Sequence, residues 1–270
     1  MTLRDVQLFS LGILKDVHKF CTENDITYSL AYGTLLGAIR HRGFIPWDDD
    51  IDIIMPRGDY EKFCSSYRSS NYRIVSDRSS DCYIPFARVF DSEKTYVKMS
   101  NFKWCKFETG IWIDVFPVDG VSDDHAEFLR QANRSWRLLK LLYYNRTSFF
   151  NHIDRFHPFR DNMKLLCLKL LFLNGNRMHA IKERIVKISK KLPFGGTGHW
   201  SEVVLREKWM VDYQSIADFS SVELHDFEDA KFFVMNGYDR VLRNAYGDYL
   251  QLPPEEERIP KQHHVPFFWK

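Results

Sequence analysis

Phe44-Ile45-Pro46-Trp47-Asp48-Asp49-Asp50-Ile51-Asp52-Ile53-Ile54-Met55 decides how this chain is read. Its second half alternates acids with isoleucine, the period of a strand with two unlike faces. On such a strand Asp50 and Asp52 point the same way, their Cα atoms about 6.5–7 Å apart. Ile51 and Ile53 point the other way and anchor the strand in a core. Two carboxylates fixed on a rigid strand can converge on one hard cation. Magnesium takes few protein oxygens and completes its octahedron with water and substrate phosphates. Most Asp runs are solvated acidic turns, but the alternation with isoleucine argues for the strand. A run of like charges also repels itself, and a cation relieves that repulsion.

Working outward, Asp114 is a third acid, inside the apolar pattern Ile111-Trp112-Ile113-Asp114-Val115-Phe116. An Asp among large apolar residues is costly to bury unless it is paired or metal-bound; a capping role at a strand end is the plainer alternative. Upstream, Gly33-Thr34 closes a candidate strand at 26–32 and leads, through a turn, into a short helical run at 35–40. Glycine allows close backbone approach to a phosphate, and a helix N-terminus favours an anion. Arg88, in Phe86-Ala87-Arg88-Val89-Phe90, reads as a phosphate clamp or as a surface arginine at a strand edge. Arg40 and His41 stand between turn and acid strand, either reaching a donor or serving only as loop residues. Trp47 is a stacking platform for a base or a cationic head group, or else a buried loop anchor. Asp48, the first acid of the run, joins the substrate-facing set.

The rest of the chain bounds the possibilities. It has 270 residues, 44% hydrophobic and 16% aromatic, with a net charge of +2. That supplies a sizeable core and excludes a disordered chain, and the charge gives no reason to expect nucleic acid. Five cysteines, at 21, 64, 82, 105 and 167, never form a C-x-x-C pair. Free buried thiols in a reducing cytosol are therefore expected, rather than a zinc ribbon or a disulfide framework. The N-terminus lacks the apolar run of a secretion signal, and no uncharged apolar stretch reaches the ~18 residues of a spanning helix. A cytoplasmic protein is expected, at most peripheral at the inner face of the plasma membrane.

Apolar spacing predicts an amphipathic opening helix over 3–21, strands at 72–75, 83–90 and 111–116, and long helices over 124–144 and 164–192. A strand at 222–224 and a helix at 238–246 follow. Strands lead and helices fill the middle, so an α+β architecture is expected. The expected division is a catalytic core over 1–122, a helical basic insertion over 123–195, and a C-terminal segment over 196–270 completing the catalytic domain. Residues 134–191 hold 14 Lys and Arg against 3 Asp and Glu. Basic residues interleaved with Leu and aromatics describe helices that can lie on an anionic bilayer, or ordinary core helices with cationic outer faces.

Tyr32-Gly33-Thr34-Leu35-Leu36-Gly37-Ala38-Ile39-Arg40-His41-Arg42-Gly43, continuing through Phe44 to Asp52, resembles the signature of the LicD family. That family contains bacterial phosphocholine transferases and is related to the fukutin-type sugar-phosphate transferases. Ile113-Asp114-Val115-Phe116-Pro117 is similar to its second block. Tyr246-Gly247-Asp248-Tyr249 with Leu252-Pro253-Pro254-Glu255 resembles its C-terminal block. One departure is Gly58, where the family often carries an acid; a neutral surface change is expected.

The resemblance implies a nucleotidyltransferase-like mixed sheet flanked by helices. It implies a Gly-Thr turn before an acid-hydrophobic-acid strand, and a third acid from a later strand. It also implies magnesium (or manganese) on Asp50, Asp52 and Asp114, a CDP-choline or CDP-polyol donor, a glycan or lipid-linked glycan acceptor, and release of CMP. Asp114 either completes the metal site or takes the acceptor's proton. Two other readings stay open: an Asp-x-Asp glycosyltransferase using a nucleotide-sugar, and a non-catalytic binding protein with the same fold.

Overall fold

The computed structural model describes residues 1–97, 105–146, 175–205, 213–259 and 267–270. The chain opens with helix α1 (Leu3–Glu23), strand β1 (Ser29–Leu30), α2 (Tyr32–His41), β2 (Asp52–Pro56) and α3 (Arg57–Ser66). Strands β3 (Tyr72–Val75), β4 (Ala87–Asp91), β5 (Thr95–Val97) and β6 (Trp112–Val121) follow. The helices α4 (His125–Arg146) and α5 (Gly175–Ser189) come next, then β7 (His199–Ser201) and β8 (Gln214–Ser215). The last elements are the hairpin β9 (Val222–Phe227) and β10 (Ala230–Met235), α6 (Tyr238–Tyr246) and β11 (Phe267–Trp269).

The main sheet runs β1-β2-β6-β4-β3, with β7 added to β6 and β8 to β7. Its centre is the parallel pair β2–β6, and the neighbours on either side are antiparallel. This is the α+β class expected from the sequence. Thr2 and Asp5 form a capping box at the start of α1, which satisfies two orphan backbone donors. Val6, Ile13, Leu14, Val17 and Cys21 then fall on its buried face. The isoleucines of β2 are buried and tie the acid-bearing strand to the core, so the apolar partners of the acids do what the alternation required of them.

Several boundaries move, each for a local reason. The strand expected over 26–32 shrinks to Ser29–Leu30, because Tyr32 adopts a left-handed φ of 49° and starts α2. Gly33-Thr34 therefore lies inside the first turn of α2 and not in a turn ahead of it. Asp50 precedes the strand, since the β2–β6 ladder begins at Asp52 opposite Asp114. The strand expected over 83–90 begins at Ala87; Pro85 has no N–H to give a ladder. Of the helix expected over 164–192, Gly175–Ser189 is described, and the apolar run 165–173 lies outside the described residues.

The cysteine expectation is corrected. Cys82 and Cys105 form a disulfide, because an isolated antiparallel bridge sets the two residues face to face. Spacing along the chain could not reveal that juxtaposition. Cys21 and Cys64 are free, and Cys167 is outside the described residues.

One buried ion pair joins the helical region to the sheet. Arg57, first in α3, donates to Asp119 on β6 through Nε (2.8 Å) and Nη2 (2.5 Å), and Nη2 also reaches Ser189 Oγ at the end of α5 (3.0 Å). No described helix is long and apolar enough to cross a membrane.

Candidate active site at the edge of three strands

Sheet register assembles the site. Asp52 on β2 stands opposite Asp114 on β6, and Asp114 stands opposite Arg88 on β4. Residues directly opposite one another on neighbouring strands share a face, so these three side chains form a row across the sheet. Arg88 donates to Asp114 in a fork, Nε to Oδ1 at 2.6 Å and Nη2 to Oδ2 at 3.1 Å. The Trp112 indole N–H also reaches Asp114 Oδ2, at 3.3 Å. The Arg88 guanidinium lies 4.2 Å from the Trp112 ring centroid, a cation–π contact.

Arg88 is thus a buried arginine engaged with a carboxylate, which removes the strand-edge surface reading. Asp114 is likewise paired, which resolves the cost of an acid among apolar neighbours.

The acids are held from below by α2 and α1. Thr34 Oγ1 accepts a hydrogen bond from the Asp52 backbone N–H at 2.9 Å. Ile51 O accepts from Asp114 N–H at 3.0 Å, and Ala31 N–H donates to Asp52 O at 3.0 Å. Gln7 on α1 donates to the carbonyl of Asp48 at 2.7 Å. A Cβ on Gly33 would lie 2.7 Å from Asp48 Oδ2, so the bare glycine lets α2 and the acidic loop approach this closely. The left-handed backbone at Tyr32 makes the bend from β1 into α2, and its ring packs edge-on to Phe116, centroids 6.0 Å apart. A non-glycine residue held there is strained, a condition that clusters at functional sites.

Burial, together with the carboxylates of Asp50, Asp114 and Asp48, pushes the Asp52 carboxyl well above the usual carboxylate range. Arg88 partly opposes them. A cluster with this excess of negative charge is chemically suited to a divalent cation. Among the described residues, no three or more His, Cys, Asp or Glu side chains are grouped to enclose a metal ion.

The remaining candidates are dispersed. Arg40 lies in the last turn of α2 and not in a loop; its Nη1 donates to the carbonyls of Tyr249 (3.0 Å) and Gln251 (3.4 Å). It thereby seats the C-terminal block beside α2. His41 and Trp47 meet edge to face with centroids 6.2 Å apart. Trp47 is half-buried and packs on the core, the position of a loop anchor. Gly58 is exposed and has open space around it.

The lipopolysaccharide cholinephosphotransferase LicD of Haemophilus influenzae is 31% identical over 274 residues, covering 98% of this chain and 97% of that protein. The chain belongs to the LicD family. The family model described as LicD/FKTN/FKRP, nucleotidyltransferase domain, matches residues 25–128 of this LicD-family chain. That span contains α2, the acidic loop, Arg88 and Asp114. An uncharacterised protein of Rickettsia typhi is 42% identical over 69 residues, 24% of this chain and 22% of its own length. Another, from Rickettsia prowazekii, is 56% identical over 41 residues, 15% of each chain.

The sequence reading of this LicD-family site missed three positioning residues. Trp112 was legible as the same-face neighbour of Asp114 two residues along the strand. Gln7 was legible as a polar residue on the apolar face of α1. Tyr32 carried no signal, since an aromatic residue is not expected at positive φ.

Proposed function

We propose that this chain transfers phosphocholine, or a related polyol phosphate, from a CDP-linked donor to a hydroxyl of a glycan acceptor and releases CMP. The observation that carries this reading is the row Arg88–Asp114–Asp52, with Asp50 and Asp48 beside it. It occurs in a chain similar along almost its whole length to a lipopolysaccharide cholinephosphotransferase.

The acceptor oxygen forms a bond to the distal phosphorus in line as the bond to the CMP oxygen breaks. Asp50 and Asp52 are the residues that would hold magnesium or manganese, which supplies positive charge to the diphosphate oxygens when bound. Thr34 fixes the backbone from which the Asp52 carboxylate projects. Arg88 and Trp112 orient Asp114, which stands as the third acid, beside the cation or as acceptor of the hydroxyl proton. Gly33 keeps the phosphate-facing side of α2 open to Asp48, and Arg40 keeps the C-terminal block against α2.

Turnover of CDP-choline with magnesium and a glycan acceptor tests the reading. Asp50→Asn and Asp52→Asn are each expected to reduce CMP release at least a hundredfold while circular dichroism stays that of the wild type. A near-wild-type rate in either variant would remove that residue from the reaction. Release of UDP or GDP from a nucleotide-sugar, with none of CMP from CDP-choline, would replace the mechanism by sugar transfer.

A further inference from the structure

A cavity of about 730 Å³ opens between α4 and α5, and none of its lining residues belongs to the carboxylate cluster. Its cations fall in two facing stripes. Arg130, Arg134 and Arg137 stand at i, i+4 and i+7 on α4, which puts them on one helix face. Arg184, Lys187 and Lys191 stand at i, i+3 and i+7 along α5 and its continuation.

Lys191 pairs with Glu127, and Arg130 lies 3.9 Å from Asp124. Arg134, Arg137, Arg184 and Lys187 have no carboxylate partner among the described residues, and all four are exposed. Two like-charged stripes brought to one cavity repel each other, and the fold gains nothing from that arrangement alone. Helix packing fixes it nonetheless: Gln131 on α4 donates to the carbonyl of Ile188 on α5 at 2.7 Å. The partly buried Leu138 and Ile188 give the cavity an apolar floor.

We propose that this groove binds the phosphate groups of a phosphorylated saccharide, and that it holds the acceptor during transfer. Arginine recognises phosphate in bidentate fashion, and the volume suits a ligand the size of a small phosphorylated sugar. The concavity of the described lining favours this over a bilayer. Contact with a membrane plane calls for protruding apolar anchors beside the cations, whereas among the described residues the apolar side chains that line the groove, Leu138 and Ile188, form its floor. The acceptor role rests on the transfer reading; the binding step does not.

Isothermal titration calorimetry with a lipid-free disaccharide bisphosphate tests the assignment, alongside its dephosphorylated counterpart and phosphatidylglycerol vesicles. The bisphosphate is expected to bind, more weakly at higher salt, and the dephosphorylated sugar to bind at least tenfold more weakly. Arg134→Gln/Arg184→Gln is expected to weaken bisphosphate binding at least tenfold, and Lys19→Gln on α1 to leave it unchanged. In turnover, the double variant is expected to raise KM for a phosphorylated acceptor while kcat holds. Equal binding of the two sugars, or a double variant within twofold of the wild type, would overturn the proposal. So would capture by vesicles without binding of the soluble bisphosphate, which would assign the groove to a membrane surface. Specific binding that the double variant loses, in a protein with no CMP release at all, would support the groove and count against the transfer reading.

Discussion

Replacing Arg88 with Met separates the structural from the chemical role of the cross-strand row. The side chains of Arg88 and Asp114 expose only 7% and 16% of their surface. With charge centres about 4 Å apart and an effective dielectric of about 20, their attraction is about 4 kcal/mol. That agrees with the ~3–5 kcal/mol typical of breaking a buried pair by removing one partner. Methionine keeps much of the packing on Trp112, so the loss is mainly the charge. The Asp114 carboxylate is then left facing Asp52, whose acid neighbours Arg88 had partly opposed.

Urea unfolding at neutral pH reads the effect. With a slope of about 3 kcal/mol per molar, the midpoint is expected to fall by about 1–1.7 M. Arg88→Met/Asp114→Asn deletes both charges, so most of the midpoint should return while CMP release stays lost. That non-additivity is the signature of a coupled pair. A single variant within about 1 kcal/mol of wild type, with transfer intact, would refute the pairing as the organiser of the site. A double variant no more stable than the single one would show that Arg88 acts through something other than the Asp114 charge.

Three further outcomes are expected. Thr34→Val keeps the shape but leaves the Asp52 N–H without its acceptor, so unfolding should show a loss of about 1–3 kcal/mol, and turnover should fall with donor KM little changed. Reducing the Cys82–Cys105 bridge, which spans 23 residues in sequence, should lower stability by about 3 kcal/mol on the chain-entropy account, measured as the denaturation midpoint with and without dithiothreitol. An unchanged midpoint would show that the bridge contributes nothing. His18 donates to or accepts from the Tyr28 hydroxyl at 2.7 Å, and burial lowers its pKa. Its unfolded form therefore takes up a proton first, and stability falls as pH drops from about 6.5 through the lower folded pKa. Thermal midpoints for His18→Gln should decline less than those of the wild type over that window, and parallel declines would contradict the assignment.

The acids of the candidate site were legible in the chain because their neighbours are local. Alternation with isoleucine marks Asp52 as a strand residue, and an Asp inside a run of large apolar residues marks Asp114. The same locality revealed α1, α4 and α6, whose apolar spacing needs only the pitch of a helix. What Arg88 does was not legible, because its partner is 26 residues away and only the β4–β6 register sets them opposite each other. Thr34 reads locally as a phosphate seat, yet the fold turns its hydroxyl toward the Asp52 backbone. The Cys82–Cys105 bridge has the same origin, since spacing along the chain carries no information about which residues a loop returns to each other. Sequence alone determined which chemistry-bearing residues exist and what local backbone each prefers, because both follow from near neighbours. The tertiary structure decided which of them meet, since pairing across strands and packing between helices are fixed only when distant segments close on a common core.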